Sequence, residues 1–564
     1  MTTGGPERND LSGDPAGGRR REHRVAAWVT TALAGLLVLF VLIAPSDFDR
    51  FTPAAFVRIP LEGLLGAALV LVVPTRVRPV VATVSGVALG LLAIVKIMDI
   101  GFDAVLYRPF DLVLDWPLFG PAVDFLEVTV GEAGAIGAIV LAVVLAVALL
   151  VLTTLSVLHL SRVVVRHRIA TTRAVAVLAV AWITLAVPGV PIASTSAASF
   201  AYEHARQVHA GLQDQEKFAA EAAVDAFRGT PNAKLLNALH GKDVIVTFVE
   251  SYGRAAIENP EIAPQVGAAL ENGSRRLRAA GFGARSGFLT SPTAGGGSWL
   301  AQATLLSGLW IDNQQRYRTL VASDRLTLNR AFQHAGWRTV GVMPAITQAW
   351  PEGNFFGYDR IYAASDLGYR GPRFSYATMP DQYTLSAFQR AERAKPDHAP
   401  VMVAIPLVTS HAPWSPNPRL IDWGDVGDGS IYNTMPAGND PPEAIFGRDP
   451  SQVRADYRTS IEYSLNTLIS YLETYGDDDL VLVFLGDHQP AQLVTGDGAS
   501  RDVPITIVAR DQAVLDRVSG WGWEDGLKPG PRAPVWPMNT FRDHFLTAFG
   551  PKAPPAQVAA PRGK

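Results

Sequence analysis

Three apolar stretches in the second half of the chain each run straight into a residue able to bind a cation or move a proton. Residues 244–249 lead into Glu250-Ser251-Tyr252, residues 401–408 into Thr409-Ser410-His411, and residues 480–485 into Gly486-Asp487-His488. Ligands of open α/β sheets gather outside the carboxyl ends of the strands, so these junctions are where a site is expected first. Each alone is weak, because a carboxylate at a strand end commonly caps a helix and a histidine is commonly a hydrogen-bonded structural residue. As a set they offer oxygen and nitrogen ligands of the kind that Mn²⁺, Zn²⁺ or Mg²⁺ accepts.

Ester chemistry at such a metal needs a nucleophile. The chain has no cysteine, which removes thiolate catalysis, disulfides and Cys-ligated metals. The Gly-rich stretch Thr293-Ala294-Gly295-Gly296-Gly297-Ser298 offers a serine at the start of a helix reaching about Leu306. Backbone N–H groups and the positive end of the helix dipole favour a phosphate there. On this segment alone the plainer reading, Ser298 as an N-cap after a flexible loop, carries more weight.

The elements that must position these residues are legible as short buried strands at 244–249, 339–343, 401–408, 480–485 and 505–508. Helical stretches at 326–335 and 457–475 lie between them, and the second puts Ile461, Leu465, Leu468, Ile469 and Leu472 on one face. Alternation of this kind argues for a mostly parallel α/β sheet across residues 241–550. Residues 412–450 are rich in Pro, Gly, Asn and Asp and contain Trp414 and Trp423; a loop of this length is often a functional lid, and its place directly after His411 motivates that reading without fixing its role. Asp381, just before a helical stretch beginning at Gln382, reads first as a cap and second as a residue that supports the site from behind.

The first third of the chain is a different material. Of 564 residues 48% are hydrophobic and only 18% charged, and 49 Lys+Arg against 52 Asp+Glu leave a net charge of −3. That balance gives no basic field for nucleic acid. Apolar runs at 25–44, 55–74, 79–98, 133–158 and 170–190 are each about 20 residues or more, enough to span about 30 Å of hydrocarbon. They predict five transmembrane helices within 25–192, behind a disordered cytoplasmic tail, 1–24. Residues 193–240 read as a helical stalk and 551–564 as a disordered Pro/Ala-rich tail.

Arg19 to Arg24, then Arg76 and Arg78, then Arg162, Arg166, Arg168 and Arg173 fall in alternate loops. The other connections carry Asp47, Asp49, Asp99, Asp103, Asp111, Asp115 and Asp124. The positive-inside rule therefore puts the N-terminus in the cytoplasm and everything after about residue 192 outside it. Lys96 is expected to pair with Asp99 or snorkel.

Taken together, these residues resemble the alkaline phosphatase and sulfatase superfamily, in which an acidic residue follows the first strand, a Ser or Thr opens a helix, and Gly-Asp-His follows a late strand. The sulfatase signature closes in Leu-x-Thr-Gly, and Leu305-Leu306-Ser307-Gly308 stands at the matching offsets from Ser298, which selects Ser298 over Thr293. Five spans ahead of this domain look most like the lipoteichoic acid synthase family of phosphoglycerol transferases, with lipid A phosphoethanolamine transferases as relatives. The resemblance implies one divalent ion, manganese or zinc with magnesium as a third candidate, held by Glu250, Ser298, Asp487 and His488. It implies that His411 contacts the substrate phosphate or passes a proton to the leaving group.

Two departures stand out. The chain reads Ser298-Trp299-Leu300-Ala301-Gln302, without the Pro/Ala and Arg that formylglycine formation requires, which favours an unmodified serine and phosphoryl transfer. The phosphoglycerol transferases' His-x-Asp-x4-Trp-x-Arg pocket, aligned on Trp350, meets Met343, Ala345 and Glu352 here. Trp350 and Glu352 are thus the candidate head-group contacts, and Glu352 would suit a cation such as ethanolamine, although a surface glutamate is the more ordinary explanation.

The expected protein is a multi-pass enzyme of the cell membrane. It takes a head group from a phospholipid donor through phospho-Ser298 and passes it to an envelope polymer or lipid acceptor. A sulfatase-like or phosphoester hydrolase of envelope glycans is the alternative within the enzymes. A catalytically silent scaffold that binds envelope polymers is the alternative outside them.

Overall fold

The computed structural model describes residues 15–46, 50–187, 192–347, 349–438, 448–496 and 498–551. Residues 1–14, Asp47 and Asp49, residues 439–447 of the long loop, the side chain of Asp124 and residues 552–564 lie outside the described residues. The chain divides into two compact units, one of residues 1–101 with 136–207, the other of 102–135 with 208–564.

The first unit is helical. It is built on α1 (Pro15–Ile43), β1 (Ile59–Pro60), α2 (Leu61–Val72), α3 (Arg78–Leu106), α4 (Phe119–Arg166), α5 (Arg168–Ala186), β2 (Ala193–Ser194) and the start of α6 (Ser196–Ala223). Among the described residues four helices are long and apolar enough to cross a membrane: Arg24–Ile43, Arg78–Leu106, Val130–Arg166 and Arg168–Ala186. The five-span expectation is corrected at its second member. The run at 55–74 is broken into a 3-10 turn, β1 and the 12-residue α2, about 18 Å of helix against the roughly 30 Å needed. Pro60 immediately before α2 and Pro74 just after it stop the helix at both ends.

Helix ends are stitched together at one end of this unit. β1 pairs in parallel with β2, the Ser196 hydroxyl donates to the Leu42 carbonyl at 2.9 Å, and the Ala198 N–H donates to Glu62 Oε1 at 2.8 Å. Lys96 is buried and donates to the carbonyls of Val41 and Ala44 at 2.9 and 2.7 Å, which satisfies acceptors that the end of α1 leaves open. The C-termini of α1 and α3 and the N-terminus of α2 therefore share one end, so α1, α2 and α3 alternate in direction. Against α4, α3 presents Gly86 and Gly90, where a Cβ would lie 2.6 Å from Thr154 Cα and 2.6 Å from Thr153 Oγ1. Small residues four apart permit this close approach. Of the stalk expected over 193–240, α6 is helix and residues 224–240 are not, apart from short 3-10 turns.

The second unit is a nine-stranded sheet with helices on both faces. Its strands are β3 (Asp243–Val249), β4 (Gly283–Thr290), β5 (Arg338–Met343), β6 (Arg360–Ala363), β7 (Val401–Leu407), β8 (Leu480–Gly486), β9 (Asp502–Ala509), β10 (Glu524–Asp525) and β11 (Val535–Pro537), in the order β10-β4-β9-β8-β3-β7-β5-β6 with β11 beside β4. From β8 to β6 all pairs are parallel; β9 runs antiparallel to both β8 and β4. β3 is buried along its whole length, as expected of a central strand covered on both faces. Ile245 and Val249 join one core cluster while Val244, Val246 and Phe248 join the other, the period-two alternation of a strand.

Two of the covering helices lie on opposite faces. α7 (Ser298–Ser307) puts Leu300 and Leu305 into the cluster of Val244, and α8 (Pro450–Tyr475) puts Ile461 and Leu465 into the cluster of Ile245. The lid expectation for 412–450 is corrected for its tryptophans. Trp414 is buried, donates to the Ser410 carbonyl at 2.8 Å and meets Tyr457 edge-on; Trp423 is buried and donates to the Ser470 hydroxyl. Tyr457 and Ser470 lie on α8, so both indoles pin the segment to the core, where burial of their large apolar faces holds them.

Candidate active site

Register brings the first three residues together. Val249 of β3 pairs with Gly486 of β8 on one side and Leu407 of β7 on the other. One step further along each strand stand Glu250, Asp487 and Val408, all at the carboxyl edge, with His411 three residues beyond. β4 points its C-terminus to the same edge, since it runs antiparallel to β9, as β8 does. The chain leaving β4 reaches Ser298 after a loop that Gly295 N–H fastens to the Gln489 carbonyl at 2.8 Å. Gly297 caps α7 in the left-handed conformation, φ 81°, which puts Ser298 at its first turn.

The four residues expected to hold a metal converge. Ser298 Oγ lies 2.8 Å from Glu250 Oε2 and 3.2 Å from His488 Nε2, and His488 Nε2 is 3.2 Å from Glu250 Oε1. Glu250, Asp487 and His488 are buried, and each offers a ligand atom within 4.8 Å of the others'. Donors around a tetrahedral ion bonded at 2.0–2.2 Å stand roughly 3.4 Å apart, so these separations fit a divalent cation. Two carboxylates, an imidazole and a hydroxyl form a donor set for zinc or manganese.

The electrostatics point the same way. Burial alone would raise the Glu250 carboxyl, but the charge and hydrogen bond of His488 outweigh it and hold the group well below the usual carboxylate range. Burial, and then repulsion from Glu250, pushes Asp487 up to about 7. For His488 burial opposes the charged ring, yet Asp487 and Glu250 lift it to about 9. Two acids crowded in a dry site are the arrangement that a cation relieves.

Supporting contacts orient the ligands. Asp487 Oδ1 accepts from the N–H groups of Ser251 and His488 at 2.8 and 2.7 Å, and His488 Nδ1 is 2.8 Å from the Gln489 carbonyl. That contact turns Nε2 toward Ser298. The Ser410 hydroxyl donates to the Glu250 carbonyl at 2.6 Å. Ser251 adopts φ 58°, and its carbonyl accepts from the Tyr457 hydroxyl at 2.8 Å; strain of this kind in a non-glycine residue marks a backbone held by its surroundings.

His411 is half-buried, its Nδ1 2.7 Å from the Ala412 carbonyl and its ring stacked on Tyr376 at 4.2 Å. Trp350 packs against Phe356 and donates to the Tyr317 hydroxyl at 3.3 Å, while Glu352 is exposed. Neither has a hydrogen bond or ion pair with the four converging residues among the described residues.

Asp381 is not the cap that its sequence position first suggests; its contacts are those of the second reading, a residue behind the site. It is the first residue of a helix capped by Pro380, and its buried carboxylate accepts from the Thr409 N–H at 3.0 Å and the Ser464 hydroxyl at 2.6 Å. It thereby ties α8 to the strand end that carries His411. Thr293, set aside in favour of Ser298, has a buried hydroxyl with no hydrogen-bond partner among the described residues, and its Cγ2 would lie 3.1 Å from a Cβ on Gly297. The one signal for it in the sequence is a polar residue at the head of the glycine run that leads to the serine.

Fold and site define the chain as an α/β protein carrying a serine and a metal-competent carboxylate–histidine cluster at the carboxyl edge of its sheet, joined to a helical unit with membrane-length helices. No protein-family model and no curated sequence matches it. Solved structures to which it is similar include the following. One is the lipoteichoic acid synthase LtaP of Listeria monocytogenes, with 13% identity over 58% of this chain and 76% of that one and a TM-score of 0.35. Another is the phosphoglycerol transferase GacH of Streptococcus pyogenes, with 14%, 60%, 90% and 0.34 in the same terms. The third is the soluble domain of lipooligosaccharide phosphoethanolamine transferase A of Neisseria meningitidis, with 11%, 54%, 88% and 0.36.

Proposed function

We propose that the chain is a membrane-bound, metal-dependent phosphotransferase that removes a phospholipid head group through phospho-Ser298 and delivers it to a cell-envelope acceptor. The observation that carries this reading is the convergence of Ser298 Oγ on Glu250 and His488 at 2.8 and 3.2 Å. Glu250, Asp487, His488 and Ser298 would hold the divalent ion, which when bound supplies Lewis-acid stabilisation of phosphate oxygens and a more acidic serine.

The remaining roles fall to this chain's own groups. Glu250 Oε2 accepts the Ser298 hydroxyl and aims Oγ at phosphorus, and the proton of the acidified serine leaves to solvent as Oγ forms its bond to phosphorus. The bond from phosphorus to the diacylglycerol oxygen breaks, and His411 gives that oxygen a proton from Nε2, since Nδ1 is engaged by the Ala412 carbonyl. An acceptor alcohol then attacks phosphorus as its proton passes to His411 Nε2, which is thereby restored; the bond from phosphorus to Ser298 Oγ breaks and Oγ takes up a proton from solvent. Glycerol phosphate and phosphoethanolamine are both head groups this chemistry can move.

The orientation inferred from loop charge supports an extracytoplasmic catalytic unit. α1 and α3 run in the same direction, so the chain has to return across the layer between them through 44–77, and this supports the odd number of crossings on which the orientation rests. Holding the site on a membrane protein suits a substrate confined to the bilayer, because tethering raises its effective concentration.

The test is mass spectrometry of the full-length protein after incubation with phosphatidylglycerol or phosphatidylethanolamine. An adduct on Ser298 matching one head group supports the reading. Free head group with no transfer to acceptor makes the protein a hydrolase, and no turnover with either lipid removes the proposal.

A further inference from the structure

The connection between α3 and α4 belongs to the compact unit that carries Ser298, although it lies between two apolar helices in sequence. Its first residues grip the site from behind. Tyr107 adopts φ 57°, and its hydroxyl donates to the Pro490 carbonyl at 2.9 Å and pairs with the Thr495 hydroxyl. Pro490 is two residues beyond His488. The Val105 carbonyl oxygen packs against Gly295 so tightly that a Cβ there would be 1.5 Å away, and Leu106 Cδ2 would lie 3.3 Å from a Cβ on Gly296. Gly295, at φ 70°, stands three residues before Ser298.

Those two loops are already joined to each other by the hydrogen bond from Gly295 N–H to the Gln489 carbonyl. Residues 105–107 thus clamp a unit composed of the nucleophile loop and the Gly-Asp-His loop. The clamp is itself braced. Arg108 makes two 2.6 Å bonds to the Asp115 carboxylate, which also accepts the Asp111 N–H at 2.7 Å. Asp111 Oδ1 in turn accepts from the N–H groups of Val113 and Leu114. A bidentate, partly buried Arg–carboxylate pair holds geometry well.

We infer that Tyr107, with Val105 against Gly295, is a positioning residue that sets the separation of Ser298 from His488. Tyr107 acts through Pro490 and Thr495, and Val105 through Gly295. The inference rests on the reading of Ser298 as nucleophile. It makes the turn that ends α3 part of the catalytic framework, so that the glycine at 295 is required by the close approach of another backbone. Displacement of a reacting group by about 1 Å is enough to lose about 100-fold in rate.

The test uses the full-length protein. Tyr107→Phe removes one hydroxyl and keeps the ring, and is expected to lower kcat about tenfold with KM within about twofold, because binding is spared while alignment is lost. Amide hydrogen exchange is expected to quicken in 293–298 and 488–496, with the melting temperature unchanged. Gly295→Ala, which drives the Val105 carbonyl away, is expected to show the same pattern more strongly. Unchanged kcat in both variants, a loss confined to KM, or unaltered exchange in both loops overturns the inference. Should the wild type turn over neither lipid, the proposed function fails by itself. The clamp is then judged on exchange and on Zn²⁺ affinity, where Tyr107→Phe leaving both unchanged overturns it.

Discussion

Ser298 and His488 are 190 residues apart in the chain, yet Ser298 Oγ and His488 Nε2 are 3.2 Å apart. Glu250 closes the triangle at 2.8 Å from the serine and 3.2 Å from the histidine. Ser298→Ala removes the attacking oxygen and little else, since the side chain shrinks by one atom. Turnover of either phospholipid should fall at least about 1,000-fold, as for a removed nucleophile. The melting temperature should stay within about 2 °C, because the lost hydrogen bonds are offset by relief of the hydroxyl's desolvation. Steady-state kinetics with calorimetry checks both, and substantial residual turnover would contradict the nucleophile assignment.

Metal removal should abolish activity, and the affinity for the returning ion should depend on pH in a definite direction. Without the ion, Asp487 is pushed up to about 7 and His488 up to about 9. Both are therefore largely protonated at pH 6. Coordination requires deprotonated ligands, so binding displaces protons and tightens as pH rises through that interval. Isothermal titration of the stripped protein with Zn²⁺ between pH 6 and 9 measures this. Affinity that is flat or weaker at higher pH would contradict the ligand set, and Asp487→Asn should flatten the lower part of the profile.

Much of this candidate site is legible in the sequence, because its residues sit at the ends of uninterrupted apolar strands. The parallel strands β3, β7 and β8 are clear for the same reason: burial on both faces leaves no polar alternation to blur them. β4 is not legible. Its sequence, Gly283-Ala-Arg-Ser-Gly-Phe-Leu-Thr290, has polar and small residues where it meets β9 and β10. Nor is the clamp at Tyr107, since a contact 383 residues apart, as between Tyr107 and Pro490, leaves no local pattern. The five-span count overreaches at 55–74 because hydropathy does not register that Pro60 and Pro74 confine the helix.

The buried carboxylate of Asp381 yields a prediction about stability. Burial raises its pKa above the usual 3.8, outweighing hydrogen bonds from Ser464 and Thr409. A carboxyl whose folded-state pKa is raised binds its proton more tightly when folded, so its favourable contribution is complete below about 3.9 and is lost as pH rises through the folded value. At pH 7 the ionised group is a liability. Asp381→Asn keeps an oxygen for the Thr409 N–H and offers an amide to the Ser464 hydroxyl. Its melting temperature should exceed the wild type's by about 2 °C at pH 7, with the difference shrinking toward pH 4. A lower melting temperature at pH 7 would show that the charge is needed there.

His411 is assigned to the leaving group, and that assignment can be separated from a role in binding or folding. Its ring is stacked on Tyr376 and its Nδ1 is engaged by the Ala412 carbonyl, so Nε2 is the nitrogen able to exchange a proton. A diacylglycerol oxygen is a poor leaving group and needs that proton; a 4-nitrophenolate does not. His411→Ala should therefore lose about 100-fold or more in kcat with a phospholipid, the usual contribution of general acid catalysis. With a 4-nitrophenyl phosphodiester it should lose less than about tenfold, since the same principle ties the effect to leaving-group basicity. Equal losses on the two substrates would move His411 from proton transfer to phosphate binding, because a contact to the non-bridging oxygens is insensitive to which alcohol departs.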